Sequence, residues 1–203
     1  MKVAHIGATG KVGGKILEEL LRRGHTVTVI SRHPERAPAS KNVSFSPGDI
    51  TNPAALAPIL RNHDAIISSA TFLPGSSPQL VDAVRRSGVK RYIAVGGAGS
   101  LEVAPGKLLK DSGKIPPEWL PAINEGAELL KLLRADKQLD WTFFSPAALI
   151  GPGKRTGEFR LGSDQLVTTP DGKSSISYDD YAIALVDELE KPQHIRQRFT
   201  IGY

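Results

Sequence analysis

Short apolar runs alternate with amphipathic stretches along most of the chain. Residues 2–6 (KVAHI) form an apolar run that predicts a buried strand. Val12, Ile16, Leu17, Leu20 and Leu21 then fall on one face of a helix, which Gly24 ends behind Arg22 and Arg23. Further strands are predicted at 25–30 (HTVTVI), 43–46, 64–70 (DAIISSA), 91–95, 141–145 (WTFFS) and 198–201. Between them the pattern predicts helices at 54–60, 79–86, 124–135 with Asn124 as cap, and 178–189.

Residues 101–121 carry Pro105, Gly106, Gly113, Pro116, Pro117 and Pro121, with Lys107, Lys110 and Lys114 spaced among them. They predict no regular element. A connection this long is expected to be a substrate-side loop. Two more loops are predicted around 151–153 and 157–169.

Strand and helix alternate over residues 1–147, the signature of an α/β chain with a doubly wound parallel sheet. Residues 148–203 are left with loops, one helix and a final strand. They predict a small C-terminal substrate lobe on a single domain, 1–203, rather than a second domain.

The first turn carries the most specific chemistry. Gly7, Gly10 and Gly13 stand at GxxGxxG spacing between a strand and a helix, the context of a dinucleotide site. Gly7 allows the tight turn and Gly10 a close approach to a pyrophosphate. Gly13 lets the helix pack near the sheet. The unpaired N–H groups of the helix start face the phosphates.

The ends of the later strands extend this reading. After strand two the chain runs Ser31, Arg32, His33, Pro34, Glu35, Arg36. An NAD site places a carboxylate there to hold the ribose 2′-hydroxyl; Arg32 instead suits a 2′-phosphate, which puts NADP ahead of NAD. Glu35 follows Pro34 and starts a short helix. After strand three, Asp49 either accepts from the adenine amino group, with Ile50 over the ring, or caps the next helix. Ser68, Ser69, Ala70 and Thr71 end strand four with small side chains that leave space for a ribose. Gly96, Gly97, Ala98, Gly99 and Ser100 follow strand five, where an active-site turn is expected.

Composition narrows the classes. The 203 residues include no cysteine, so disulfides, thiolate metal sites and cysteine nucleophiles are excluded. A net charge of +5 favours anionic ligands, yet Lys and Arg are scattered among acids, with no basic block to suggest nucleic acid. The first strand begins at once, leaving no room for a signal peptide, and no apolar stretch approaches a membrane span; a cytoplasmic protein, monomer or dimer, is expected. Five histidines, His5, His25, His33, His63 and His194, form no helical metal pair. His5 reads as a core residue with a satisfied ring nitrogen, His33 as solvated. Neither GxSxG nor GxxxxGK[ST] occurs.

GATGKVG at the start, Arg32 after strand two, GDI after strand three and GGAGSLEVAPG after strand five together resemble the atypical short-chain dehydrogenase/reductases. Within them the chain is most similar to the NmrA-like, NADH-flavin reductase group of NAD(P)-binding Rossmann proteins. SPAALIGPGKRTGEFRLGSDQLV and SYDDYAIALVDEL extend the resemblance over nearly the whole chain.

The resemblance implies a cofactor site at Gly7, Thr9, Gly10, Lys11, Val12, Arg32, Asp49, Ile50 and Ser68 to Thr71. It also implies that Pro146 and Ala147 lie near the nicotinamide, which would sit beside Gly96 and Gly97. Many relatives shuttle a proton through a Tyr-x-x-x-Lys pair. Here Gly96, Ala182 and Leu185 follow Tyr92, Tyr178 and Tyr181 at that spacing, and Trp119 and Ile123 stand where relatives carry the pair. The implied activity is hydride transfer from NADPH to a small planar acceptor, a flavin (FMN or FAD as substrate) or a quinone, with Ser100 as candidate polar contact. A non-catalytic NADP(H) sensor of the NmrA type and an epimerase- or dehydratase-like enzyme are the alternatives.

Overall fold

The computed structural model describes residues 1–38, 40–113 and 115–203. The chain runs β1 (Lys2–Ile6), α1 (Lys11–Arg22), β2 (Thr26–Ser31), β3 (Val43–Pro47), α2 (Pro53–Leu60), β4 (Ala65–Ser68), α3 (Ser76–Ser87) and β5 (Arg91–Val95). It continues through β6 (Glu102–Ala104), β7 (Lys107–Leu108), α4 (Leu120–Ala135), β8 (Asp140–Ser145), β9 (Leu149–Gly151), β10 (Arg160–Gly162), β11 (Ser175–Ser177), α5 (Tyr178–Glu190) and β12 (Gln197–Gly202).

The main sheet has the order β10-β12-β8-β5-β4-β1-β2-β3. All its pairs are parallel except the edge pair of β10 with β12. The sheet is doubly wound. On one face Val3, Val27, Val29, Ile67 and Phe144 pack against Ile16, Leu17 and Leu20 of α1 and Leu185 of α5. On the other, Ala4, Ile30, Ile66 and Tyr92 meet Leu56, Leu80 and Leu129 of α2, α3 and α4. Burial on both faces explains why the strands read as continuous apolar runs rather than alternating ones. Phe144 stacks between Tyr181 and Phe199, with ring centroids 4.2 and 4.0 Å away, and ties β8 to α5 and β12.

Several sequence expectations change. Helix α4 starts at Leu120, not at 124, because Pro121 occupies its first turn, where its missing N–H is no loss. Asn124 is therefore inside the helix; its side chain accepts from Lys110 Nζ at 3.1 Å rather than capping. Helix α3 likewise starts at Ser76, three residues before the predicted 79.

The 101–121 stretch is not an irregular loop. It begins with the small hairpin β6–β7, turned at Gly106 with φ +71°, and continues through helical turns at Leu109–Asp111 and Pro117–Trp119. Lys114 lies outside the described residues. Nor do residues 148–203 form a lobe of their own. Helix α5 and strand β12 complete the main layers, while β9 and β11 form a small parallel pair beside them.

Candidate functional site: a cleft at the carboxyl edge of the sheet

A cleft of about 440 Å3 opens where the strand order reverses, with β1 flanked by β2 and β4. In open α/β sheets this crevice is the place for ligands. Gly7, Thr9 and Gly10 line it from the turn after β1; Ser31 at the end of β2 and Arg32, His33 and Arg36 beyond it line it too. Gly48 to Thr51 contribute after β3, and Ser69, Ala70, Thr71 and Leu73 after β4.

The glycine turn is built by two different constraints. Gly7 has φ +84°, and a Cβ there would stand 2.6 Å from the Ala70 nitrogen, so both conformation and space demand glycine. Gly13 has no room either: a Cβ would collide with the Gly7 carbonyl oxygen and lie 2.7 Å from Ser69 Oγ. Gly10 is different. A Cβ there would meet only the Gly7 oxygen, at 3.5 Å, so its open side faces the cleft.

The first hydrogen bond of α1 runs from Gly14 N–H to Gly10 O at 2.7 Å. The N–H groups of residues 11–13 therefore precede the helical ladder. No side chain caps this helix, and no acid occupies its first turn. Such an end attracts anions. Lys11 is exposed and Val12 half-buried at the helix start, beside the cleft wall.

At the far end of the cleft stand Arg32 and Arg36. Neither guanidinium has a hydrogen-bond or ion-pair partner among the described residues. Asp49 Oδ1 accepts from Thr51 N–H and Thr51 Oγ1, both at 2.8 Å. These bonds, with smaller help from the Arg32 charge, hold its carboxyl below the usual range. The cap of α2 is Asn52, whose Oδ1 accepts from Ala55 N–H at 3.1 Å. The helix-cap role considered for Asp49 is thus taken by its neighbour, and Asp49 and Ile50 stay on the cleft wall. His33 is exposed, 3.4 Å from Glu35.

Other expected residues lie elsewhere. Ser68 turns inward and bonds the buried Tyr92 hydroxyl at 2.7 Å, so it does not line the cleft. Gly96 is small because the Phe143 ring fills the position of its Cβ. Ala147 is buried in the core beside α5, and the Pro146 carbonyl accepts from Thr200 Oγ1 at 3.4 Å; neither lines the cleft. Gly97 and Ser100 border a second, smaller hollow. Ser100 Oγ accepts from Arg198 Nη1 at 3.2 Å.

His5 Nε2 bonds Ser69 Oγ at 3.0 Å, while its buried Nδ1 has no hydrogen-bond partner among the described residues. One ring nitrogen is satisfied, as expected, and one is not. Burial pushes the His5 pKa down to about 3, so the ring is neutral at physiological pH and steadies Ser69 on the cleft wall.

Sequence reasoning missed Arg36, Leu73 and Thr51 as cleft residues. For Arg36 a signal existed: it stands four residues after Arg32, across the short helical turn Pro34–Arg36. Among the described residues no group of three or more His, Asp or Glu could hold a metal ion. No described helix is long and apolar enough to cross a membrane.

A doubly wound sheet with a glycine turn, an uncapped helix start and a cleft at the strand switch point is the plan of a dinucleotide-binding Rossmann protein. The chain belongs to the NAD(P)H-binding family, whose model matches residues 7–192. It is 38% identical to the Bacillus subtilis protein YwnB over 99% of this chain and 98% of YwnB. Among solved structures it is similar to a candidate epimerase from Bacteroides thetaiotaomicron: 42% identity, TM-score 0.94, covering all of this chain and 96% of that one. It is also similar to a candidate NADH-flavin reductase from Streptococcus pneumoniae: 36% identity, TM-score 0.86, covering 100% and 99% of the two chains.

Proposed function

We propose that the protein is an NADPH-dependent reductase that passes hydride to a small planar acceptor, a flavin or a quinone. The observation that carries the cofactor preference is that Arg32 and Arg36 both line one cleft, and neither guanidinium has a hydrogen bond or ion pair among the described residues. Two cations on one wall suit a ribose 2′-phosphate; a 2′-hydroxyl would need an acceptor there.

The residues fit the dinucleotide at three points. The amides of residues 11–13 and the open side of Gly10 receive the pyrophosphate. Arg32 and Arg36 receive the 2′-phosphate. Asp49 keeps its Oδ2 available for the adenine amino group, with Ile50 against the ring. The reduced nicotinamide, when bound, supplies the hydride. The chain supplies orientation and a dry contact for the acceptor. Among the described residues no tyrosine lines the cleft or the hollow beside it, so none stands ready as an acid there. A flavin or quinone needs less help from a protein acid than a simple ketone does.

The missing tyrosine also favours a second reading, an NADP(H) sensor that reports redox state to a partner. Single-turnover oxidation of bound NADPH by a panel of flavins and quinones separates the two. Hydride transfer to at least one of them is expected. Tight NADPH binding with no transfer to any would overturn the enzyme reading in favour of the sensor.

A further inference from the structure

Residue 33 is placed by its neighbours in the sequence. A proline disfavours the helical conformation for the residue before it, and His33, ahead of Pro34, has φ −134° and ψ 69°. Its N–H donates to Ser31 Oγ at 3.2 Å, which fixes the backbone where β2 ends. Arg32, His33 and Arg36 all line the dinucleotide cleft from this turn. The imidazole is exposed, as a solvated histidine is expected to be, yet it stands on the cleft wall beside the two guanidiniums.

The charges around it are few. His33 Nδ1 lies 3.4 Å from Glu35 Oε1, while Nε2 has no hydrogen-bond partner among the described residues. The charged residues that line the cleft with it are Arg32, Arg36 and Asp49, and the Asp49 carboxylate is engaged by Thr51. Strands β2 and β3, which pack against this turn, carry no charged side chain. An imidazole changes charge within the physiological pH range. Once protonated it donates through both nitrogens, and a carboxylate beside one of them favours the charged form.

We propose that His33 is a third, titratable ligand of the ribose 2′-phosphate: it binds as the imidazolium, with Nδ1–H toward Glu35 and Nε2–H to a phosphate oxygen, so that NADPH binding at neutral pH takes up a proton. This rests on the reading of the cleft as the NADPH site. Glu35 acts through His33 and is a positioning residue. The direction of proton flow separates this site from one made of arginines alone. A phosphate monoester loses its second proton at about pH 6. Two guanidiniums favour the dianion, so Arg32 and Arg36 by themselves would bind the phosphate with proton release. Adding His33 reverses the sign, and the preference for NADPH over NADH then falls as the imidazole loses its charge with rising pH.

Calorimetry with the full chain at neutral pH, in buffers of different ionisation enthalpy, counts the protons. NADPH binding should take up a fraction of a proton, and NADH binding none. His33→Gln keeps an N–H donor but no titratable charge; it should abolish the uptake or turn it into release. Between pH 6.5 and 8.5 the ratio of the NADH to the NADPH dissociation constant should fall about two- to fivefold in the parent, the worth of an exposed ion pair, and should not fall in His33→Gln. His33→Arg, with a permanent cation, should keep the ratio high at pH 8.5. Glu35→Gln should move the fall to lower pH.

The ring C–H signals of His33 give a measure that needs no functional variant. Their titration in NMR should move to higher pH when NADPH is bound and stay in place with NADH. Proton release by the parent, equal uptake in His33→Gln, or a His33 titration that NADPH leaves unmoved would overturn the proposal. NADPH bound no more tightly than NADH at every pH would overturn the reading of the cleft as a 2′-phosphate site instead.

Discussion

Gly13 sits so close to Gly7 that a Cβ on it would collide with the Gly7 carbonyl oxygen. Helix α1 thus rests directly on the turn that opens it. Gly13→Ala must push the helix off the turn and is expected to destabilise the fold by about 1–3 kcal/mol, as overpacking does. Gly10→Ala has no such clash and is expected to stay within about 1 kcal/mol of the parent, yet to weaken NADPH at least tenfold, because its methyl enters the cleft. Urea midpoints and calorimetry on the two variants check both halves.

Arg32→Ala should weaken NADPH by about 1.5–3 kcal/mol, the worth of a charge-assisted hydrogen bond, or roughly ten- to hundredfold in Kd. NADH affinity should hardly change. Arg36→Ala should act in the same direction. Equal losses for both cofactors would show that the guanidiniums do not hold the 2′-phosphate.

His5 gives stability a pH dependence that begins above the carboxylate range. Its folded pKa is about 3, against 6.5 as the ordinary value. The unfolded chain therefore takes up a proton below pH 6.5 that the folded chain refuses. Stability from this group is complete above pH 6.5 and falls by about 1.4 kcal/mol for each pH unit below it, until the folded ring titrates. Between pH 6.5 and 5, His5→Gln should remove most of this slope. Urea midpoints across that window measure it.

Glu125 of α4 accepts from Gly75 N–H at 2.8 Å and Ser77 N–H at 2.7 Å, where α3 begins. Burial opposes the charge, but the Ser77 and Gly75 hydrogen bonds outweigh it and hold the carboxyl below its usual range. Glu125→Ala should loosen residues 73–77, which hydrogen exchange would show as lost protection at Ser77. Part of the cleft wall moves with them, so NADPH affinity should drop severalfold.

Local features were legible in the sequence; features assembled across the fold were not. The turn Gly7–Gly13 and Arg32 sit next to the elements that place them, so spacing alone located them. Pro121 misled because a proline that usually ends helices also suits a first turn. Asp49 looked able to cap α2, and only the side-chain geometry gave that place to Asn52. Strands β6, β7 and β9 to β11 have two or three residues each, too few for a period-two pattern to stand out. The Ser100–Arg198 contact joins residues 98 positions apart, and no local pattern encodes that.

The carboxylate of Glu125 also sets a polarity. Helices α1, α2 and α3 follow β1, β3 and β4 and begin at the same edge of the sheet. Asn52 fills the start of α2, and a negative charge already fills that of α3. Of these three helix starts, only that of α1 lacks such an occupant. In the proposed NADPH complex, a diphosphate seated at the start of α1 would have its adenine end toward Arg32 and its opposite end toward Phe72. The start of α3 offers that diphosphate no second seat, because the Glu125 carboxylate already occupies it.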